Sequence, residues 1–368
     1  MPLEARFGSK PITVGLKSDI RAAQSMIISR TPVRVSFCGG GTDVDWFSHS
    51  EPKGGMVTSL ALSRHIHVTV NSRFDDKVRV SYSKMEIVDD FEDLEHELVR
   101  ETMRMTGVTS GVEITTIADI PSRGTGLGSS STVTVGLLNA LHMFAGREAS
   151  AAQLAEEACR IEIDILGQPI GRQDQYAAAF GGINSIYFDS NGVKVEPLKL
   201  SEGLIESLES EFTLVFTGRS RSAATVLSEQ PVDEADRLSR LRTIREQADE
   251  ARNRLEVGDL SGLGQLLEEA WQEKRGTTAS VSDKNLDSIH DRLMEMGASG
   301  AKLLGAGGGG FFLVHGDANL RQRLQSELSV IHRIIRVSVD TSGSIIIWAS
   351  SNSAPNTGLS YFGIEKKN

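Results

Sequence analysis

Two periods of apolar spacing alternate along the chain. Runs near 65–70, 77–82, 111–117 and 183–188 are short, rich in β-branched residues and bounded by turn formers, which predicts strands. The stretch MIISRTPVRVSF, opening at Met26, reads as a strand as well. Around 130–144 and 150–166 the apolar positions recur at helical spacing, with Val135, Leu138 and Met143 near one stripe of the first. Beyond about 205 the mixture begins again. A strand, FTLVFTG at 212–218, precedes helical patterns at 232–256, 258–274 and 284–296. Then come strand-like GGFFLVHG, a helix near 317–327 and the strand pair in RIIRVSVDTSGSIIIWA. Mixed strands and helices, twice over, predict an α+β protein of two lobes rather than a doubly wound parallel sheet. The expected division is an extension over 1–25, a first lobe over 26–205, a second over 206–350 and a tail over 351–368.

Between the strand at 111–117 and the helix at 130–144 lies PSRGTGLGSSST. A glycine loop feeding a helix start presents backbone N–H groups and the positive end of the helix dipole, and this combination suits a phosphate. The alternative is an ordinary turn with Ser129 as N-cap. No Gly-Lys-Ser or Gly-Lys-Thr occurs, which excludes a Walker A loop. Ser129 stands where the third glycine of a dinucleotide fingerprint belongs. That spacing does occur at Gly305, Gly307 and Gly310, but strand-like FFLVH follows instead of a helix.

Three further clusters carry polar residues in unexpected places. On the helix at 150–166, Ala151, Ala155, Ala158, Glu162 and Ile165 share one stripe, and a carboxylate among small apolar residues needs a partner or a cation. The turn GQPIGRQDQ then puts Asp174 in the first turn of a small-residue helix, either as a helix-dipole partner or aimed at a substrate hydroxyl. RTPVRVSFCGGGTDVDWF places Arg34 inside a strand that ends in Gly39, Gly40 and Gly41, then Thr42 and Asp43. In SGAKLLGAGGGGFFL, Lys302 accompanies a glycine run that permits close backbone packing. His65 and His67 alternate on a strand and could share a face as metal ligands, but no third ligand is apparent.

Composition narrows the class. The 368 residues suffice for two domains, and 39% hydrophobic with 24% charged content is that of a water-soluble globular protein. A net charge of −10 argues against non-specific attraction to nucleic acid or anionic lipid. No run of about 18 apolar residues predicts a transmembrane helix. The run ITVGL in the first 25 residues is too short for a signal-peptide core. Cys38 and Cys159 form neither a disulfide framework nor a zinc pattern, so a reducing cytoplasm is expected.

Together the clusters resemble the GHMP kinases. PSRGTGLGSSS resembles their phosphate-binding motif, RTPVRVSFCGGGTD their first motif and GAKLLGAGGGGFF their third, in family order and across roughly Met26 to Ala349. The resemblance implies an N-terminal lobe like ribosomal protein S5 domain 2 and a ferredoxin-like C-terminal lobe, with ATP and Mg²⁺ between them. It implies that Gly124, Thr125, Gly126, Leu127, Gly128, Ser129, Ser130 and Ser131 wrap the ATP phosphates. Ser130 and Glu162 would hold the metal, Asp174 would be the catalytic carboxylate, and Arg34 would steady it. Asp43, beside Gly40, Gly41 and Thr42, would hold sugar hydroxyls.

One departure bears on the acceptor. Galactokinases of the family carry Glu-His between the glycine and the Thr-Asp of the first motif, where this chain has Gly40 and Gly41. The implied pocket is wider and less polar. GGGTD with LGQPIGRQDQYAAAFGGIN resembles instead the family's heptose 7-phosphate kinases, which phosphorylate the anomeric hydroxyl of D-glycero-D-manno-heptose 7-phosphate. An L-fucose or galactose kinase shares the same catalytic residues. A sensor without turnover is the other alternative, although Asp174, Arg34, Ser130 and Glu162 are all in place. A sugar 7-phosphate calls for a cation away from the reacting carbon, for which Arg221 is the first candidate and Lys302 the second. The expected partners are ATP and a sugar phosphate, with a homodimer allowed, and neither nucleic acid nor membrane.

Overall fold

The computed structural model describes residues 24–121, 124–221, 233–328 and 333–351. The expected extension and tail therefore lie outside the described residues, apart from 24, 25 and 351. The first lobe runs β1 (Gln24–Cys38), α1 (Asp45–Ser48), β2 (Gly55–Ser72), β3 (Val78–Ser81), β4 (Met85–Val88), α2 (Glu97–Thr106) and β5 (Val112–Ala118). It continues with α3 (Ser129–Phe144), α4 (Ala151–Cys159), a π-helical turn (Arg160–Ile165), α5 (Gln173–Phe180), β6 (Ile183–Asp189) and β7 (Gly192–Pro197). The second lobe runs α6 (Glu202–Glu211), β8 (Phe212–Phe216), α7 (Glu234–Val257), α8 (Leu260–Arg275) and α9 (Lys284–Glu295). β9 (Ala298–Leu303), β10 (Phe311–Gly316), α10 (Leu320–Leu328) and β11 (Ile334–Arg336) follow, and the last strand is β12 (Ile345–Ser351).

An eight-stranded sheet has the order β12-β1-β2-β5-β3-β4, with β6 joined to β2 and β7 to β6. A four-stranded antiparallel sheet has the order β11-β8-β10-β9. The result is the two-lobed α+β architecture that the spacing predicts.

Both long strands change character midway. In β2, Ile66, Val68 and Val70 alternate with partly exposed neighbours, whereas the residues from Gly55 to Leu62 are buried throughout. In β1 burial is continuous from Thr31 to Cys38. Helix α7 packs on both strands and α8 on β1. Strands covered on both faces carry continuous rather than alternating burial, which is why the sequence pattern starts the second strand only near 65. Val35, Phe37 and Leu60 of the first lobe share one core with Phe212, Leu263 and Phe311 of the second. The Phe37 and Phe212 rings meet edge to face, centroids 5.7 Å apart at 77°.

Two expectations are corrected. β12 pairs antiparallel with β1, so the chain returns to the first lobe, whereas the division at 206–350 placed this segment in the second. Nothing local in SIIIWAS marks which sheet it joins, and its partner Met26 lies 324 residues from Ser350. The helix expected over 150–166 is α-helical only to Cys159, after which the backbone takes a wider π turn. That turn rotates the following residues, so Ile165 leaves the small-residue stripe and is 47% exposed while Glu162 stays fully buried.

Candidate active site

A cleft of about 870 Å³ lies between the lobes, a volume typical of small-molecule sites. The glycine loop on its wall holds Gly124, Gly126 and Gly128 at φ of 68°, 76° and 74°, the left-handed region. A Cβ on Gly126 would stand 2.5 Å from the Leu304 carbonyl oxygen, and one on Gly305 would stand 2.4 Å from Gly126 Cα. The second and third glycine motifs therefore pack backbone to backbone. α3 begins at Ser129 with Gly128 in the capping position and no side-chain cap. The Ser129 hydroxyl is instead bonded to Thr125 Oγ1 at 3.0 Å. Ser130 is exposed on the cleft wall, at the positive end of the helix dipole.

Across the loop stands Asp174, in the first turn of α5. Arg34 of β1 donates to Asp174 Oδ1 through Nε at 2.7 Å, its Nη2 lies 2.6 Å from the same oxygen, and its Nη1 donates to the Gly126 carbonyl. One guanidinium thus ties strand, loop and helix together. Its neighbours Val33 and Val35 are fully buried and Arg34 itself is 4% exposed. A charge at such a position is costly without this pairing.

Asp43 is also buried, yet on the cleft wall. Its Oδ1 accepts from the Gly41 N–H at 2.9 Å and from Gln173 Nε2 at 3.0 Å, and its Oδ2 accepts from the Gln173 N–H at 3.0 Å. Burial raises its carboxyl above the usual range despite these backbone N–H groups. A Cβ on Gly171 would fall 2.0 Å from Asp43 Oδ2, so the Gly-x-Pro-x-Gly turn can close on the first motif only with glycine there. Arg172 fixes the same junction through Asp45, at 2.8 and 3.1 Å.

Glu162 lies behind the wall, fully buried. It accepts from Thr134 Oγ1 at 3.1 Å and from Gln175 Nε2. Burial pushes its carboxyl up to about 7, against the opposing hydrogen bonds from Ser131, Gln175 and Thr134. Among the described residues it has no ion pair, and the buried Gln175 Oε1 beside it has no hydrogen-bond partner. A buried carboxylate without a countercharge, an unsatisfied amide oxygen and the Ser130 hydroxyl are hard oxygen donors of the kind Mg²⁺ takes. The residues fit the metal.

Other expected residues stand elsewhere. Leu127 is buried in the inter-lobe core. Thr42 is fully buried and donates to the Gly39 carbonyl at 2.8 Å and the Met56 carbonyl at 3.0 Å, so it braces the first motif from behind. Lys302, on the wall, donates to the Phe37 carbonyl. The Arg221 N–H lies 3.3 Å from the Gly124 carbonyl oxygen, beside the glycine loop. His65 Nε2 is 2.8 Å from Asp340 Oδ2, and no group of three His, Cys, Asp or Glu side chains placed to hold a metal exists among the described residues. Sequence reasoning missed Gln173 and Lys274. Both sit in runs that look like plain polar helix ends, GRQDQ and QEKRGTT, and α8 must dock on β9 before Lys274 reaches the cleft.

Residues 94–182 match the family model for the GHMP kinases N terminal domain, and residues 245–329 that for the GHMP kinases C terminal. A D-glycero-alpha-D-manno-heptose 7-phosphate kinase of Campylobacter jejuni is 30% identical over 316 residues, covering 81% of this chain and 91% of that protein. A galactokinase of Thermococcus kodakarensis is 26% identical, over 81% of this chain and 92% of that one. A crystal structure of a D-glycero-D-manno-heptose 1-phosphate kinase from Bacteroides thetaiotaomicron has a TM-score of 0.72 at 23% identity, covering 87% and 98% of the two chains. That likeness speaks for the fold. Among the described residues no helix is long and apolar enough to cross a membrane.

Proposed function

This chain belongs to the GHMP kinase family as a sugar kinase, and we propose that it transfers the γ-phosphoryl group of ATP to the anomeric hydroxyl of D-glycero-D-manno-heptose 7-phosphate. The Arg34–Asp174 pair facing the glycine loop across one cleft carries the phosphoryl-transfer reading, and the likeness to a heptose 7-phosphate kinase, with Gly40 and Gly41 in the first motif, supports the acceptor. Residues 124–131 and the start of α3 bind the nucleotide phosphates, and their N–H groups stabilise charge on the transferred phosphoryl. Ser130 and Glu162 would hold Mg²⁺, which would neutralise phosphate charge.

Asp174, its carboxylate oriented by Arg34, takes the proton of the attacking hydroxyl. The freed oxygen bonds to phosphorus and ADP departs. An anomeric hydroxyl is more acidic than an ordinary alcohol, which lessens the mismatch with a carboxylate base. A carboxylate offers about four acceptor positions, and protein donors occupy three on Asp43, leaving Oδ2 able to take one sugar hydroxyl. Gly40 and Gly41 leave room beside it for a longer sugar. The working division is 26–205 with β12 as the first lobe and the rest of 206–350 as the second.

The test is a phosphoryl-transfer assay with the heptose 7-phosphate, free heptose, L-fucose and galactose as acceptors. The heptose 7-phosphate should have the highest kcat/KM. Efficient turnover of free fucose or galactose would reassign the acceptor and leave the sugar kinase class standing.

A further inference from the structure

Three cations crowd one side of the cleft: Arg34 and Lys302, both buried, and the partly buried Lys274. Lys302, on β9, is 5% exposed and donates to the Phe37 carbonyl. Lys274, in the last turn of α8, donates to the Leu303 carbonyl at 3.1 Å and to that of Gly305. Arg34 is matched by Asp174. Neither lysine forms an ion pair with a carboxylate among the described residues. Carbonyls satisfy hydrogen bonds without neutralising charge. An ammonium has three N–H donors, so two on Lys302 and one on Lys274 remain after these bonds.

Such a pair is costly without a counter-anion. Burial above all, helped by repulsion from Arg34 and opposed by the neighbouring Cys38, pushes Lys302 down to about 8. Burial, with repulsion from Lys302 and Arg34, pushes Lys274 well below the usual lysine range. Buried charge of one sign is tolerated where an opposite charge completes it. Both side chains are on the cleft wall, so that charge can come from a ligand. The nucleotide phosphates have their own cradle in the glycine loop, and Arg221 packs against that loop through Gly124. Lys302 stands on the acceptor's side, since Phe37, whose carbonyl it holds, leads into Gly39–Asp43 along the same strand end, and Lys274 stands between it and the glycine loop, bonded to Gly305, which packs on Gly126.

We propose that Lys274 and Lys302 together form the subsite for the acceptor's own phosphate, the dianion remote from the hydroxyl that reacts. This rests on the reading of the acceptor as a sugar phosphate. It sets Arg221 aside as the primary ligand of that group and adds Lys274. A phosphate bound between two ammonium groups also fixes the sugar's far end, so the reacting hydroxyl is held at Asp174 by two anchors.

The experiment compares the heptose 7-phosphate with free heptose in the wild type and in Lys274→Met and Lys302→Met, which keep side-chain length without charge. The ratio of kcat/KM for the two acceptors should fall about tenfold or more in each variant, the loss expected of a charge-assisted hydrogen bond. KM for ATP should stay within about twofold. A lysine pair that only braces the lobes would leave the ratio unchanged, and that result overturns the assignment. A wild type indifferent to the acceptor's phosphate overturns the acceptor reading and this inference with it. A strong wild-type preference retained by both variants overturns the lysine assignment alone. Inorganic phosphate tests the folded wild type directly, should either variant fail to fold. It should inhibit competitively against the sugar phosphate, and competition against ATP alone would refute the subsite.

Discussion

Arg34 Nε lies 2.7 Å from Asp174 Oδ1, and another nitrogen of the same guanidinium holds the Gly126 carbonyl. The carboxylate and the glycine loop are therefore positioned by one side chain of β1. The two members of the pair can be told apart by substitution. Asp174→Asn keeps the shape and can no longer accept a proton, so kcat should fall to less than a tenth, at least about 1.4 kcal/mol of barrier. ATP binding by calorimetry should be nearly unchanged. Arg34→Ala removes the donor of both bonds and leaves the carboxylate partly buried without its partner, so it should also cost about 3 kcal/mol of folding stability. A fully active Asp174→Asn enzyme would remove this residue from the proton transfer.

Glu162 supplies a second test, read in the absence of turnover. Its carboxyl is fully buried and raised to about 7 by that burial, so its ionised form is held poorly until a cation is near. Mg²⁺ should raise the melting temperature of the ATP-bound wild type, and Glu162→Gln should lose most of that gain. The metal-free variant should be as stable as the wild type or more so, because a neutral amide of the same shape no longer carries the desolvation cost. An unchanged Mg²⁺ response in Glu162→Gln, or a metal-free variant that melts well below the wild type, would show that the carboxylate is structural.

What the sequence made legible follows from how local each signal is. Arg34 stands out because a charged residue sits between Val33 and Val35 in a strand-like run, and burial of all three confirms that it is anomalous. Glu162 stands out in the same way against Ala155 and Ala158. The π turn that carries it was not visible, because the choice between i→i+4 and i→i+5 bonding depends on what the segment packs against. Lys274 was hidden for a related reason. Its position in the cleft depends on α8 docking against β9, and a lysine in a last helical turn is otherwise an ordinary dipole partner. The return of β12 to β1 is a pairing across the whole chain, set by the free edge of β1 rather than by anything in the strand's own composition.

That return passes through Asp340, the site of the last prediction. Asp340 Oδ2 lies 2.8 Å from His65 Nε2 on β2, and its Oδ1 accepts from the N–H groups of Ser342 at 2.8 Å and Gly343 at 3.0 Å. A Cβ on Gly343 would stand 2.3 Å from the Ala179 carbonyl oxygen, so this turn is pressed against the end of α5, the helix that carries Asp174 in its first turn. Burial tends to raise the Asp340 carboxyl, but the His65 bond and the two backbone N–H groups outweigh it and hold it below its ordinary 3.8. A carboxyl depressed on folding binds more protons in the unfolded state, so its contribution is present above the unfolded value and is lost as pH falls through the folded one. Asp340→Asn should therefore destabilise the protein by about 2 kcal/mol near neutrality, in the range of a lost charge-assisted bond. In denaturant titrations the gap between wild type and variant should be level above about pH 5 and should close below about pH 4. A gap that persists undiminished into acid would mean that the turn is held by shape alone and that the charge of Asp340 does not brace α5.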